Sequence, residues 1–180
     1  MSLAHPTTVD EFLNYRLNRL LAASGAMTVL LCEGRYGISR REWRLIAMLA
    51  AHGPLSPTEL AEHANLERAR VSRHIATLVD RQLIRRFKVD ADGRRAKVEL
   101  APAGQALYQA LFPESVRFNQ QVLSVLSEAE IASFESTLSK LTQQAERIAA
   151  QRPIAEKADR RHGGSKRLSH QLGVAKPAGS

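Results

Sequence analysis

Residues 56–100, SPTELAEHANLERARVSRHIATLVDRQLIRRFKVDADGRRAKVEL, contain in order the signals of a short helix, a turn, a longer basic helix and a β-hairpin. Ser56 and Glu59 have the spacing of a capping box, and Pro57 at the first helical position needs no hydrogen-bond donor. Residues 64–66, Ala-Asn-Leu, follow as a turn. This order predicts a helix-turn-helix followed by a wing.

The second of these helices is predicted from about Glu67 to Arg81. Apolar side chains at near-helical spacing predict one packed face: Ala69, Val71, Ile75, Leu78 and Val79. Polar and basic side chains are left for other surfaces: Arg68, Arg70, Ser72, Arg73 and His74. Arginine neutralises phosphates and pairs bidentately with guanine, at ~1–3 kcal/mol of discrimination. We interpret these five residues as candidate DNA contacts; a solvated charged face is the alternative.

Segments 83–89 and 97–100 alternate like strands, and residues 90–93 between them form a turn cluster. Ten Lys or Arg and three acids lie between Arg68 and Lys97, so this segment holds most of the net charge of +8. Such a charge favours a polyanionic partner, either nucleic acid or an anionic membrane surface. We expect nucleic acid and no membrane partner, because no apolar run reaches about 20 residues.

Composition limits the remaining possibilities. A chain of 180 residues with 44% hydrophobic content can build one domain. The N-terminus lacks the basic and apolar regions of a signal peptide. Cys32 is the single cysteine, which excludes an intramolecular disulfide and favours the cytoplasm. We expect Cys32 to be a small buried thiol rather than a redox centre.

Amphipathic helices are predicted over residues 9–33 and 102–152, on both sides of the helix-turn-helix and wing, which together form the head. A further helix over 40–51 begins at a capping box of Ser39 and Glu42, and Ser127 and Glu130 form another capping box before the last amphipathic helix. The two terminal segments have no partner within a compact head, so a second subunit is expected to cover them. The candidate interface residues are apolar: Phe12, Leu13, Leu17, Ile131, Phe134, Leu138 and Leu141. Residues 1–152 thus form one domain, and 153–180 a basic flexible tail.

The order of elements, the helix VSRHIATLVDRQLI, the Asp92-Gly93-Arg94 wing and a helix opening at Pro102-Ala103-Gly104 resemble the MarR family of bacterial winged-helix regulators. The resemblance covers roughly residues 17–150. It implies a mainly α fold with a small β-wing: a winged helix-turn-helix head plus N- and C-terminal dimerisation helices. It also implies a homodimer on double-stranded DNA, with a near-palindromic operator.

By this resemblance, Asp92 orients Arg94 into the minor groove, and Arg95 and Lys97 contact phosphates. The sequence departs from the family pattern at two positions. Ala101 stands where the family usually has a capping Thr, and Gln82 stands where it usually has Gly. A Gln in a left-handed C′ conformation costs on the order of 1 kcal/mol relative to Gly.

The resemblance further implies a repressor released by a small aromatic acid, and the first two helices are similar to those of members controlling aromatic or N-heteroaromatic acid catabolism. A hydroxynicotinate-type acid is the expected effector. Such a ligand needs an apolar wall and a cation, and the candidates are Arg16, Arg19, Ala23, Met27, Arg40, Trp43 and Arg44. The alternatives are that Trp43 is core, that residues 22–26 pack closely against another helix, and that the protein is a constitutive architectural DNA binder.

An enzyme is not expected, because the sequence has no Gly-rich phosphate loop, G-x-S-x-G, H-E-x-x-H or metal-spaced Cys/His set. We expect no cofactor and no metal. Glu59, Glu62 and His63 are the closest approach to a metal cluster, but Glu59 is used by the cap and no second His lies at ligand spacing.

Overall fold

The computed structural model describes residues 3–88, 96–151 and 154 of the chain. After a 3₁₀ turn at Val9–Glu11, the elements are α1 (Leu13–Val29), a π-helical turn (Leu30–Arg35), α2 (Arg40–His52), α3 (Pro57–His63), α4 (Arg68–Asp80), β1 (Ile84–Lys88), β2 (Ala96–Leu100), α5 (Pro102–Leu123) and α6 (Glu128–Gln151). The mainly α fold with a small β-wing is confirmed. The predicted tail, apart from Ile154, lies outside the described residues.

The predicted capping boxes set the starts of three helices. At α2, the backbone N–H of Ser39 donates to Glu42 Oε2 at 2.7 Å, and the N–H of Glu42 donates to Ser39 Oγ at 3.2 Å. Each box supplies two acceptors to N–H groups that have no partner within the helix. The same reciprocal bonds begin α3 and α6, through Ser56 with Glu59 and Ser127 with Glu130.

The first helix differs from its predicted range of 9–33. Phe12 is extended, with ψ of 140°, so α1 begins only at Leu13. Upstream, the backbone N–H and hydroxyl of Thr7 donate to the Glu11 carboxylate, and this local turn competes with the helix. At its other end α1 widens into the π-helical turn, which buries Leu31 and Cys32.

The wing is a two-stranded antiparallel sheet in which Ile84 lies opposite Leu100 and Lys88 opposite Ala96. The strand β2 also bonds to the segment between α2 and α3, because Leu55 and Val98 exchange two backbone hydrogen bonds of 3.1 and 2.8 Å. This bridge fixes the base of the wing to the helix-turn-helix.

Left-handed backbone occurs where the turn chemistry predicts it. Asn65 in the turn after α3 has φ of 51°, and Gln82 after α4 has φ of 57°. Gln82 therefore adopts the left-handed conformation that the sequence predicted for it, at a position where the family usually has Gly. At Gly104 the requirement is space rather than backbone conformation, because a Cβ there would lie 1.9 Å from the carbonyl oxygen of Leu83.

The hydrophobic core lies in the head, between α2, α3, α4 and the wing, with Leu111 of α5 inserted into it. Its fully buried large side chains include Ile38, Leu45, Ile46, Leu60, Ile75, Leu78 and Ile84. The terminal helices contribute little: Gly25 is the buried residue of α1, and α6 has none. The head is therefore self-contained, and its flanking helices leave apolar faces uncovered.

Candidate nucleic-acid interface

The helix α4 separates a buried face from a polar one. Val71, Ile75 and Leu78 are fully buried, because residues three and four apart share one side of a helix. Four of the five predicted DNA contacts on this helix are exposed: Arg68, Arg70, Ser72 and Arg73. Ala69, predicted to pack, is exposed as well, since it lies about 200° around the helix from Val71.

Two of the exposed arginines have acidic neighbours. Arg68 Nη2 lies 3.4 Å from Glu62 Oε1, and Arg70 Nε lies 3.4 Å from Glu67 Oε2. Exposed ion pairs of this kind contribute at most about 1 kcal/mol in water. The two guanidinium groups can therefore exchange these carboxylates for phosphates at little cost.

His74 does not share this exposed face. Its side chain is 23% exposed and turns toward α2, where Nδ1 lies 3.6 Å from Glu42 Oε1. The prediction that His74 contacts DNA is not supported by this orientation. Sequence spacing could not reveal it, because His74 stands at the boundary between the two faces of α4.

The wing is described only at its base. Asp92, Arg94 and Arg95 lie outside the described residues, and their roles stay predictions. Lys97 is half-buried in β2, with Nζ 3.4 Å from the carbonyl oxygen of Pro54. Such a position holds the ammonium group beside the α2–α3 segment.

Two exposed basic residues of β1, Arg86 and Lys88, were missed as candidates. Arg85, also exposed, is held across the sheet by Glu99, with Nε 2.6 Å from Oε1. The run Arg-Arg-Phe-Lys in this strand is the signal that could have identified them, because a strand next to a basic helix extends the same positive surface.

The predicted effector residues divide into separate groups. Arg16, Arg19 and Ala23, with Leu20 and Ala22, line an open depression of about 580 Å³ along α1. Two guanidinium groups beside small apolar side chains are suited to an organic anion. Met27 lies farther along the same helix and is exposed.

The other three candidates, all on α2, contact different neighbours. The guanidinium of Arg40 rests against Gly25 of α1, where an added Cβ would lie 2.7 Å from Nη1. Trp43 is buried and stacks on Tyr108 at 5.8 Å, so it is a core residue rather than a wall of the depression. Arg44 donates to the carbonyl of Ala64 at 3.2 Å. The seven residues therefore do not form one cavity.

The remaining candidate chemistry has structural explanations. Cys32 is fully buried, and burial raises the pKa of its thiol to about 11, so the reactive thiolate is disfavoured. His63 stacks on His52 with ring centroids 4.2 Å apart, a neighbour that sequence spacing missed. Among the described residues, no three His, Cys, Asp or Glu side chains form a metal-binding group.

The predicted interface residues are accessible in the single chain. Phe12, Phe134, Leu138 and Leu141 are 40–50% exposed, and Leu13, Leu17 and Ile131 are half-buried. Within the described ranges, no helix is long and apolar enough to cross a membrane. The exposed apolar side chains of α1 and α6 are candidates for contact with another protein surface.

Comparison with known proteins relates this architecture to one family. Residues 36–95 match the sequence profile of the MarR family. The chain is 30% identical over 110 residues to the uncharacterized HTH-type transcriptional regulator YxaD of Bacillus subtilis, covering 61% of this chain and 77% of YxaD.

Solved structures share the fold. A MarR/EmrR family transcriptional regulator from Acinetobacter sp. ADP1 is 24% identical with a TM-score of 0.72, covering 78% of this chain and 99% of that chain. BpsR of Bordetella bronchiseptica, solved to explain regulation of its DNA binding by 6-hydroxynicotinic acid, is 22% identical with a TM-score of 0.59, covering 71% and 98%. At these identities the likeness shows the fold alone.

Proposed function

Because this chain belongs to the MarR family of winged helix-turn-helix transcriptional regulators, we propose that it is a homodimeric repressor released from a near-palindromic operator by a small aromatic acid. The family assignment makes it a DNA-binding regulator and not an enzyme. The proposal includes the cytoplasm as its location, since that is where a bacterial operator lies. The observation that carries the proposal is the exposed arginine face of α4.

The DNA part of the proposal assigns α4 to the major groove. Four polar side chains of this helix are exposed: Arg68, Arg70, Ser72 and Arg73. Asp92 and Arg94 are assigned to the minor groove, and Arg95 and Lys97 to phosphates. Contacts to base edges specify a sequence, whereas contacts to phosphates position the protein, so we expect Arg73 and its neighbours to do the first and the wing base to do the second.

The homodimer is supported by the uncovered apolar face of α6. Two recognition helices can read adjacent major grooves only if they are spaced about 34 Å apart. The helix α6 has 24 residues and buries none of them within its own chain, although Phe134, Leu138 and Leu141 lie along it. A second copy covering this stripe would remove it from water and set the spacing.

The effector part rests on the depression along α1. Arg16 and Arg19 supply positive charge and Leu20, Ala22 and Ala23 supply an apolar floor, which suits a carboxylate attached to a ring. A hydroxynicotinate-type acid fits this chemistry, and 6-hydroxynicotinic acid regulates the DNA binding of the similarly folded BpsR. The alternative, an architectural binder without an effector, predicts a filled space at this position, and the response of operator binding to an acid distinguishes the two.

A titration of operator binding tests the proposal. The unmodified protein selects its own duplex from a random library, and the bound duplex is then titrated with 6-hydroxynicotinic acid and, as a neutral control, 6-hydroxynicotinamide. We expect the acid to release the duplex and the amide to leave it bound. In parallel, the acid at 100 times its Kd should add about 2.7 kcal/mol of stability. Failure of a panel of aromatic acids to release the duplex would favour the architectural alternative.

A further inference from the structure

The strand β1 is the outer edge of the wing. On its inner side it pairs with β2, and β2 in turn bonds to Leu55 through the N–H and the carbonyl group of Val98. Backbone groups of successive residues point to opposite sides of a strand. Because Val98 points toward Leu55, Arg86, which lies opposite it in β1, points away from β2. Within the described ranges, no carbonyl oxygen accepts the N–H of Arg86, which faces the free side of the sheet.

The basic side chains of β1 divide between the two faces of the sheet. Arg86 and Lys88 share one face, because side chains alternate along a strand, and both are exposed. Arg85 lies on the other face, where its Nε is 2.6 Å from Oε1 of Glu99, the one acidic residue of the two strands. Among the described residues, Arg86 and Lys88 therefore have no acidic partner.

The strand begins where α4 ends. The backbone N–H of Leu83 donates at 2.9 Å to the carbonyl oxygen of Leu78, in the last turn of the helix, and Ile84 then enters the core. From Ile84 to Lys88 an extended chain spans about 13 Å, at ~3.3 Å for each residue. The major groove of DNA is ~12 Å wide. A helix lying in the groove therefore leaves β1 within reach of the phosphates that border it.

A phosphate backbone fits this edge better than an added peptide strand does. Strand addition joins a peptide along a row of backbone donors and acceptors, but β1 has five residues and Ile84, at its start, is buried. Two cations without acidic partners, beside an outward N–H, are instead the donors that proteins use for phosphate oxygens. An acidic extended peptide is the alternative occupant.

We propose that Arg86 and Lys88 form a phosphate-binding edge, which holds the sugar-phosphate backbone beside the groove that α4 enters. The inference rests on the proposed function in requiring the protein to bind a duplex through α4. Contacts to phosphates carry no sequence information, but they release counterions. The edge therefore raises the affinity for every duplex and makes that affinity depend on salt, while the choice of operator is left to other residues.

The test measures the affinity of the full-length protein for the library-selected duplex and for a random-sequence duplex between ~50 and ~200 mM salt. The slope of log affinity against log salt concentration reports phosphate contacts, at about 0.9 for each contact. Arg86→Ala and Lys88→Ala should each reduce the steepness of the slope by about 0.9, and the double variant by about 1.8. Both duplexes should be weakened by the same factor, and reselection should return the same operator.

Arg85→Ala is the matched control, because it removes one guanidinium from the same strand but from the face that Glu99 occupies. Its slope should equal that of the unmodified protein. Arg86→Lys keeps the charge and should keep the slope as well. An equal reduction with Arg85→Ala would reveal a general charge effect and overturn the inference, and so would a changed operator after reselection with Arg86→Ala.

The double variant separates the inference from the proposed function. If the unmodified protein selects a duplex and the double variant binds it with an unchanged slope, the phosphate-binding edge is wrong, the proposed function stands, and an acidic peptide becomes the candidate occupant of β1. If the unmodified protein selects no duplex at any salt concentration, the proposed function fails and the inference fails with it.

Discussion

Arg35 and Glu114, 79 residues apart, join the segment before α2 to α5, with Arg35 Nη1 lying 2.6 Å from both carboxylate oxygens. The hydroxyl of Tyr36 donates to the same carboxylate at 3.2 Å. The contact lies one residue after Pro113, inside the continuous helix α5. It thus ties a terminal helix to the head at a point where the helix lacks one backbone donor.

This contact predicts an acid-dependent loss of stability. The Arg35 guanidinium, followed by the Tyr36 hydroxyl, holds the pKa of Glu114 below its usual value of 4.5. A carboxyl with a lowered pKa stabilises the fold above its unfolded-state pKa, and this contribution disappears as pH falls through the folded-state pKa. The melting temperature of Glu114→Gln should therefore fall less on acidification below about pH 4.5 than that of the unmodified protein.

The control for this prediction is Glu146→Gln, an exposed substitution on α6. It should melt in parallel with the unmodified protein as the pH is lowered. If the melting temperature of Glu114→Gln also fell with pH in parallel with that of the unmodified protein, the pairing with Arg35 would add nothing to stability.

A second prediction concerns the close approach of α5 to the wing. A Cβ at Gly104 would lie 1.9 Å from the carbonyl oxygen of Leu83, and a backbone atom cannot swing aside as a flexible side chain can. Gly104→Ala should destabilise the protein by about 1–3 kcal/mol, measured by urea unfolding. Gly34→Ala is the matched control, since a Cβ there meets nothing within 4 Å. Equal stability of the two variants would contradict the packing described.

A third prediction tests the stripe on α6. Leu138→Glu should shift the protein from dimer to monomer in sedimentation at micromolar concentration, because a charge would be buried without a partner. Ser136→Glu lies on the opposite side of the same helix and should leave the dimer intact. A monomeric unmodified protein would remove both the dimer and the reason for a near-palindromic operator.

A fourth prediction concerns the proposed major-groove and minor-groove contacts. Arg73→Ala should weaken binding to the selected duplex by about 1–3 kcal/mol and relax the preference at one position, if Arg73 reads a guanine. Arg94→Ala should cost at least ~1 kcal/mol through lost minor-groove contacts. Arg147→Ala on α6 is the control and should bind as the unmodified protein does. Affinities unchanged at fixed salt would remove the substituted arginine from the interface.

A fifth prediction addresses the depression on α1. Ala23→Leu would add bulk to the depression that Arg16 and Arg19 also line, so release of the duplex by 6-hydroxynicotinic acid should be lost while operator affinity stays within about twofold. Ala132→Leu, an exposed substitution on α6, should respond as the unmodified protein does. If Ala23→Leu also releases its duplex normally, the effector binds elsewhere.

Local chemistry explains what the sequence could predict. The bonds of Ser39, Ser56 and Ser127 to glutamates three residues on lie within single turns, so their spacing was sufficient to locate three helix starts. The left-handed conformation of Gln82 likewise follows from its place directly after a helix. Such features need no knowledge of what packs against the element.

The remaining features depend on partners distant in sequence. His74 is drawn inward by Glu42, and Arg40 rests on Gly25, so their directions follow from how α2 meets α4 and α1. The seven predicted effector residues do not line one site, because Arg40, Trp43 and Arg44 contact three different neighbours. The break at Phe12 was missed because the apolar pattern continues across it.

The π-helical turn at Leu30–Arg35 changes which side of the helix the following residues occupy. Hydrogen bonds to the fifth residue, instead of the fourth, insert one extra residue per turn and rotate everything that follows. Leu30 is 65% exposed while Leu31 is 5% exposed, so neighbouring leucines serve different surfaces. Exposed apolar side chains up to Leu30 are therefore available to a partner that covers α1, whereas Leu31 and Cys32 pack into the core of the head.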